Sequence, residues 1–399
     1  MRTISVEQRR RLMVQRHHLR GDAAGPEQVA AALIALHATD PASLYLSVLA
    51  RSSRSTLADV SAALYERQTL VRWMAMRRTL FVIPRADVPF IQAAASAPLA
   101  LTLRRQLLSR MRRNGTDPAL DDPEQWLAGI ERDVECSLRD SGAATGAQLS
   151  ARVPALRTTI LSGSPSEKPQ NVTSPLLTLL GTEARIVRGD PVGPWTSRHH
   201  QWEHLARRWP DGLSKLDSGE SQNALALRWL ERYGPATLED LRWWTGWNKT
   251  TVRRVVSTLP IEEVDLHGEP GIALLVDGER HDYDVTDKQA GDAPVAALLP
   301  SLDPTPMGWK SRAWCIGIDR AQIFDTAGNI GPTVWWDGEV IGSWAIANTG
   351  EVRTVLPADR GRAAAAAVGA LAAQLQTRLD GAVVTPAVRT PLERSLVQS

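Results

Sequence analysis

The chain has 399 residues, 43% hydrophobic and 23% charged, with a formal net charge of +2, enough for two or three cored domains. It contains no run of about 18 apolar residues and its first twenty residues lack the apolar centre of a secretory signal, so a cytoplasmic protein outside the membrane is expected. Cys136 and Cys315 lie far apart, and the eight histidines sit outside HExxH or CxxC contexts, so neither a disulfide framework nor a structural zinc is expected.

The small net charge hides a strong segregation. Residues 1–115 hold 18 Arg and no Lys against seven Asp plus Glu, a net of +11, while the remainder carries −9. A basic first third on a near-neutral chain points to a localised surface that faces a polyanion.

In chain order, residues 5–20 read as a basic helix, and Gly25-Pro26 separates it from a second helix. In that second helix Val29, Leu33 and Leu36 recur at helical spacing. The polar run His37-Ala38-Thr39-Asp40 ends it, and Pro41 opens another helix through Arg51. An Asp-Pro pair ahead of a periodic run is a helix start, because the carboxylate can accept free backbone N–H groups and proline suits the first helical position. Ser55 to Asp59 caps the next helix. LVRWMAMRRTLFVIP then alternates as two strands turning near Arg77-Arg78. Three helices followed by a two-stranded wing is the order of a winged helix-turn-helix.

A basic helix at 101–113 ends at Asn114-Gly115, and the same order then repeats. In the second unit, helices are read from Pro123 to about Arg139, from Thr145 and over 173–180, and ARIVRGDPVG…HHQWE fits a wing. In the third unit, helices are read over 221–233, from Thr237 and after Asn248, with strands at 261–266 and 272–276. The expected architecture is therefore α+β: three tandem winged helix-turn-helix units at 1–115, 116–215 and 216–290, then a small β-domain at 291–399. Within that last domain Asp337-Gly338 predicts a hairpin in TVWWDGEVIGSW, an alanine-rich helix is read at 360–378, and the tail from Thr385 is read as loose.

Four landmarks carry a family resemblance: LHATDPASLYLSVLAR, MRRTLFVIP, LLPSLDPTPMGWKSR and PTVWWDGEVIGSWA. Together, and in this order, they resemble the bacterial tandem winged-helix proteins that include the crosslink-unhooking and azinomycin-resistance DNA glycosylases. The resemblance implies three winged helices and a C-terminal β-domain around a basic channel that holds double-stranded DNA. It also implies hydrolysis of the N-glycosidic bond of bulky N7-alkylated purines, interstrand crosslinks among them, without metal or organic cofactor. A monomer is expected. The family's Gln-x-Gln or Gln-x-Asp signature falls on His37-Ala38-Thr39, so His37 replaces the first Gln and Thr39 the second Gln or Asp.

His37 could hold or deprotonate water, Thr39 could hydrogen-bond that water, and Asp40 could stabilise cationic character on the sugar. Each also has a local role: Asp40 as helix cap, Thr39 as a helix-end hydrogen bonder, His37 as a satisfied polar side chain. The expected phosphate contacts are Arg51, Arg77 and Arg78, extended by Arg9, Arg10, Arg11, Arg104 and Arg105. In the third unit Lys249, Thr250, Arg253 and Arg254 occupy the recognition-helix position. Trp243, Trp244 and Trp247 read mostly as core. The alternative is a non-catalytic winged-helix DNA-binding protein, a regulator or a lesion-binding relative lacking the family glutamines.

Overall fold

Short polar side chains, prolines and glycines set the helix boundaries. Ser5, Thr56, Thr145 and Thr237 each close a capping box on the helix that follows, and Asn248 accepts from Thr251 N–H at the start of Lys249–Val256. In each case a side-chain oxygen satisfies an N–H that has no partner within the helix. Gly115, at φ 77°, ends the helix Ala97–Asn114 in a conformation that favours glycine.

The computed structural model describes residues 1–275, 293–386 and 389–398. The boundary expected near residue 290 and the last residue of the strand expected over 272–276 lie outside them. The described residues form a mixed α+β chain that divides into two compact units. The first comprises 1–70, 81–85 and 223–399; the second comprises 71–80 and 86–222.

In the first unit both ends of the chain build one body. The N-terminal strand Arg2–Thr3 pairs in parallel with Val264 and Asp265, on a sheet completed by Ile261–Asp265 and Pro270–Leu274. A four-stranded antiparallel sheet is formed by Ala296–Leu299, Thr333–Trp336, Glu339–Ile346 and Val352–Val355. Its central hairpin turns at Asp337 and Gly338, with φ of 49° and 81°, the backbone that an Asp-Gly pair supplies most readily. Tyr45, Trp229, Tyr233, Trp335 and Trp344 are among the fully buried side chains of this unit.

The second unit has its own core. Leu103, Leu107, Leu108 and Met111 pack with Leu127, Ile130, Val134, Leu176 and Leu180, and with Trp202 of the strand His200–His204. The continuous helical run Arg85–Asn114 has the length and hydropathy of a membrane span. Its buried positions from Leu103 to Met111 belong to this core.

Helix Pro26–Leu33 stops before Leu36, because Ile34 adopts φ 63° and the chain leaves as the short strand Leu36–His37. The tail is not loose: Pro391–Gln398 is a helix with Glu393 and Leu396 buried.

Candidate active site

The polar corner is shaped by its exit from the helix. Leu36 and His37 pair antiparallel with Val82 and Phe81, on the strand Thr79–Pro84. The His37 ring is half-buried and meets the Phe81 ring edge-on, centroids 5.7 Å apart at 71°. Ala38 is buried and Thr39 is exposed. Asp40 stands at the N-cap of Pro41–Arg51 with Pro41 at the first helical position, but its side chain makes no capping hydrogen bond. The carboxylate therefore does not serve the helix as expected.

Asp40 instead lines a pocket of about 340 Å³ with Ser43, Trp344, Arg389 and Glu393. Glu393 is buried; Arg389 Nη1 donates to its Oε1 at 2.9 Å and Thr390 N–H to its Oε2 at 3.4 Å. Burial pushes the Glu393 carboxyl up to about 7. The Arg389 charge and the Thr390 N–H oppose that rise, and the Asp40 charge adds to it. Two carboxyl groups thus face one pocket beside the corner, and the sequence reading had only the first. The signal for the second was Thr390-Pro391-Leu392-Glu393, which has the capping-box spacing with proline at the first helical position.

The far end of helix Pro41–Arg51 overturns one expectation. Arg51 is fully buried and forms a bidentate pair with Asp303, Nη1 to Oδ2 at 2.8 Å and Nη2 to Oδ1 at 2.6 Å. Its Nε donates to His17 O and its Nη2 to Thr305 Oγ1. Ser47 Oγ and Thr305 N–H also donate to the same carboxylate. His17 Nε2 lies 3.1 Å from Arg232 O, and Nδ1 lies 2.9 Å from the Thr305 hydroxyl. Burial, followed by the Arg51 charge, holds His17 well below its usual range. The neutral ring therefore donates from Nε2 and accepts at Nδ1. Arg51 cannot reach a phosphate.

Further along the same landmark, other residues also bond to the body of the first unit. Trp309 Nε1 donates to Tyr233 O at 3.0 Å, and the N–H groups of Lys310 and Ser311 donate to Asp240 Oδ1 at 2.8 and 2.9 Å.

The other expected contacts divide. Lys249, Thr250, Arg253 and Arg254 are exposed on helix Lys249–Val256. At the hairpin turn Arg78 is exposed, whereas Arg77, at φ 55°, is half-buried and lowered to about 10 by that burial. Arg9 is buried against Trp314, its guanidinium carbon 4.2 Å from the ring centroid, and Arg10 donates to Trp314 O and Glu339. Arg11 is half-buried and Arg105 exposed. Arg104 is engaged by Glu183 and Glu131. The expected extension of the basic surface is corrected accordingly: several of these charges are internal or already paired. Trp244 and Trp247 are core, as read; Trp243 is half-buried under Arg312. Among the described residues no cluster of His, Cys, Asp and Glu could hold a metal ion.

A mixed α+β chain whose polar corner places Asp40 in the wall of a pocket that Glu393 also lines is the class that this geometry defines. A family model described as DNA glycosylase AlkZ-like matches residues 30–378, and the chain belongs to that family of DNA-binding hydrolases. The fold is similar to that of the Streptomyces sahachiroi DNA glycosylase AlkZ, with a TM-score of 0.73 at 21% identity, covering 96% of this chain and 99% of that one. Comparison with curated proteins gave no match. The corner lies inside the matched region; Glu393 lies beyond it.

Proposed function

We propose that this protein is a monofunctional DNA glycosylase that excises bulky N7-alkylated purines from double-stranded DNA, acting as a monomer without metal or organic cofactor. Membership of the DNA glycosylase family, with the corner inside the matched region, carries this reading. Excision of interstrand crosslinks is part of the same proposal.

An N7-alkylated purine is cationic, so it leaves with the electron pair of its C1′–N9 bond as a neutral base. What remains is an oxocarbenium-like sugar and a water that must attack C1′. In the proposed roles Asp40 opposes the positive charge on the sugar, Thr39 holds the water, and His37 accepts its proton. Lys249, Thr250, Arg253, Arg254, Arg77 and Arg78 serve as contacts to the duplex, mostly through phosphate.

The test uses the full chain and a duplex carrying a single N7-alkylguanine, read as alkali-labile abasic sites. The wild type forms them, and the His37→Ala/Thr39→Ala double variant is slower by about 10²-fold. Equal rates would reject the assigned mechanism. A second reading, DNA binding without catalysis, is favoured by the exposed polar side chains of helix Lys249–Val256 and by His37 and Thr39 standing where the family signature has Gln and Gln or Asp. Duplex binding with a steep salt slope and no abasic product from any alkylated substrate would establish it.

A further inference from the structure

In the second unit, the strands Ile186–Pro191 and His200–His204 are antiparallel, with Arg188 opposite Trp202. The Arg188 guanidinium lies over the Trp202 indole, 4.8 Å from its centroid, and its Nη1 is 2.8 and 3.1 Å from the two ring nitrogens of His200. Both of these neighbours are uncharged: burial, followed by the Arg188 charge, lowers His200 to about 3.

Beside them is a pocket of about 270 Å³ whose wall includes Arg72, Arg188, Trp73, Trp202 and Thr178. Arg72 is 7% exposed. No carboxylate occurs among the described residues that line the pocket. The neighbouring acids are engaged elsewhere: Glu203 with Arg208, and Glu131, Glu135 and Glu183 with Arg185. Gly181 shapes one wall, since a Cβ there would lie 3.0 Å from the Trp202 ring and press the indole inward.

Two guanidinium groups around one largely apolar pocket repel each other in a low dielectric. Burial, and then the Arg72 charge, lowers Arg188 to about 10. An anion in the pocket removes both penalties. Planar guanidinium forks suit tetrahedral phosphate oxygens, and the indole walls exclude competing water.

We propose that this pocket is a phosphate-binding site, with Arg188 and Arg72 as its cationic ligands and Thr178 as a hydroxyl donor. The phosphate is either a backbone phosphate of DNA or a free phosphate group. The chemistry stands apart from the glycosylase reading, on which only the DNA source rests.

The experiment compares wild type with Arg188→Gln and Arg72→Gln, each checked for folding in chloride buffer by circular dichroism. The melting temperature is followed as inorganic phosphate replaces chloride at constant ionic strength, and duplex affinity is measured against salt. Wild type is expected to gain stability with phosphate in a saturable way, and both variants to lose that response. If the source is DNA, the log–log salt slope for duplex binding also falls by about one in R188Q; if it is free phosphate, duplex binding is unchanged. Should R188Q not fold, Arg188→Lys, which keeps the charge without the fork, replaces it and shows a weaker response. The proposal is overturned if neither the phosphate response nor the salt slope differs between wild type and the variants. A wild type that responds to phosphate but binds no duplex would reject the glycosylase reading and leave this site standing.

Discussion

Arg51 in the first unit is fully buried and Arg188 in the second is half-buried, and the two are answered in opposite ways. Arg51 meets Asp303 in a bidentate pair whose carboxylate also accepts from Ser47 and Thr305. Arg188 meets an indole face and a neutral imidazole, and the nearest charge acting on it is a second arginine. A buried ion pair that satisfies itself is scaffold, whereas two guanidinium groups lining one pocket with no carboxylate among its described lining residues suit an anion from outside. Charge counted along the sequence cannot separate these two cases.

The largest effect is expected at Asp303. Asp303→Asn leaves the buried Arg51 charge without its counter-ion and should destabilise the protein by about 3–5 kcal/mol in urea unfolding. A loss under about 1 kcal/mol would show that the pair is not what holds this region.

Glu393 is the intermediate case, since Arg389 supports its charge and Asp40 opposes it. Its carboxyl is raised from about 4.5 to about 7 in the folded protein. The folded state thus binds the proton more tightly than the unfolded chain. Its stabilising contribution is complete below about pH 4.5 and is lost as pH rises through 7, about 1–3 kcal/mol in all. Stability against pH should be flatter in Glu393→Gln across this window, and an unchanged profile would contradict the assignment. His17 and His200 act with the opposite sign: both are lowered, so the stability associated with their neutral rings is lost as pH falls below about 6.5.

The smallest effect is expected at Arg188. In phosphate-free buffer Arg188→Gln removes a charge that has no acid to lose, so stability should hold or rise by up to about 1 kcal/mol. A destabilisation as large as that of Asp303→Asn would place Arg188 with Arg51 as scaffold.

Local chemistry was legible wherever a short-range rule decides the backbone. The caps at Thr145, Thr237 and Asn248 and the Asp337-Gly338 turn were read correctly, because each depends on residues within four positions. The end of helix Pro26–Leu33 was misread, because Leu36 continues the apolar periodicity and only strand pairing with Val82 takes it out of the helix. At the candidate site the corner itself stood out as His-Ala-Thr-Asp-Pro. Its second carboxyl did not, since Glu393 lies more than 350 positions away in a short, polar helix. The burial of Arg51 is illegible for a related reason: nothing near it in sequence announces Asp303.

The separation of Arg51 from Asp303, 252 positions, bears on how the molecule is made. At about 5–20 residues per second a ribosome completes the first partner some tens of seconds before the second. Throughout that interval the opening segment has its apolar helices and a cation destined for the interior, but not the strands and loop that will cover them. A nascent chain of this kind waits for its own far end, and holding factors on the ribosome would find it exposed until then.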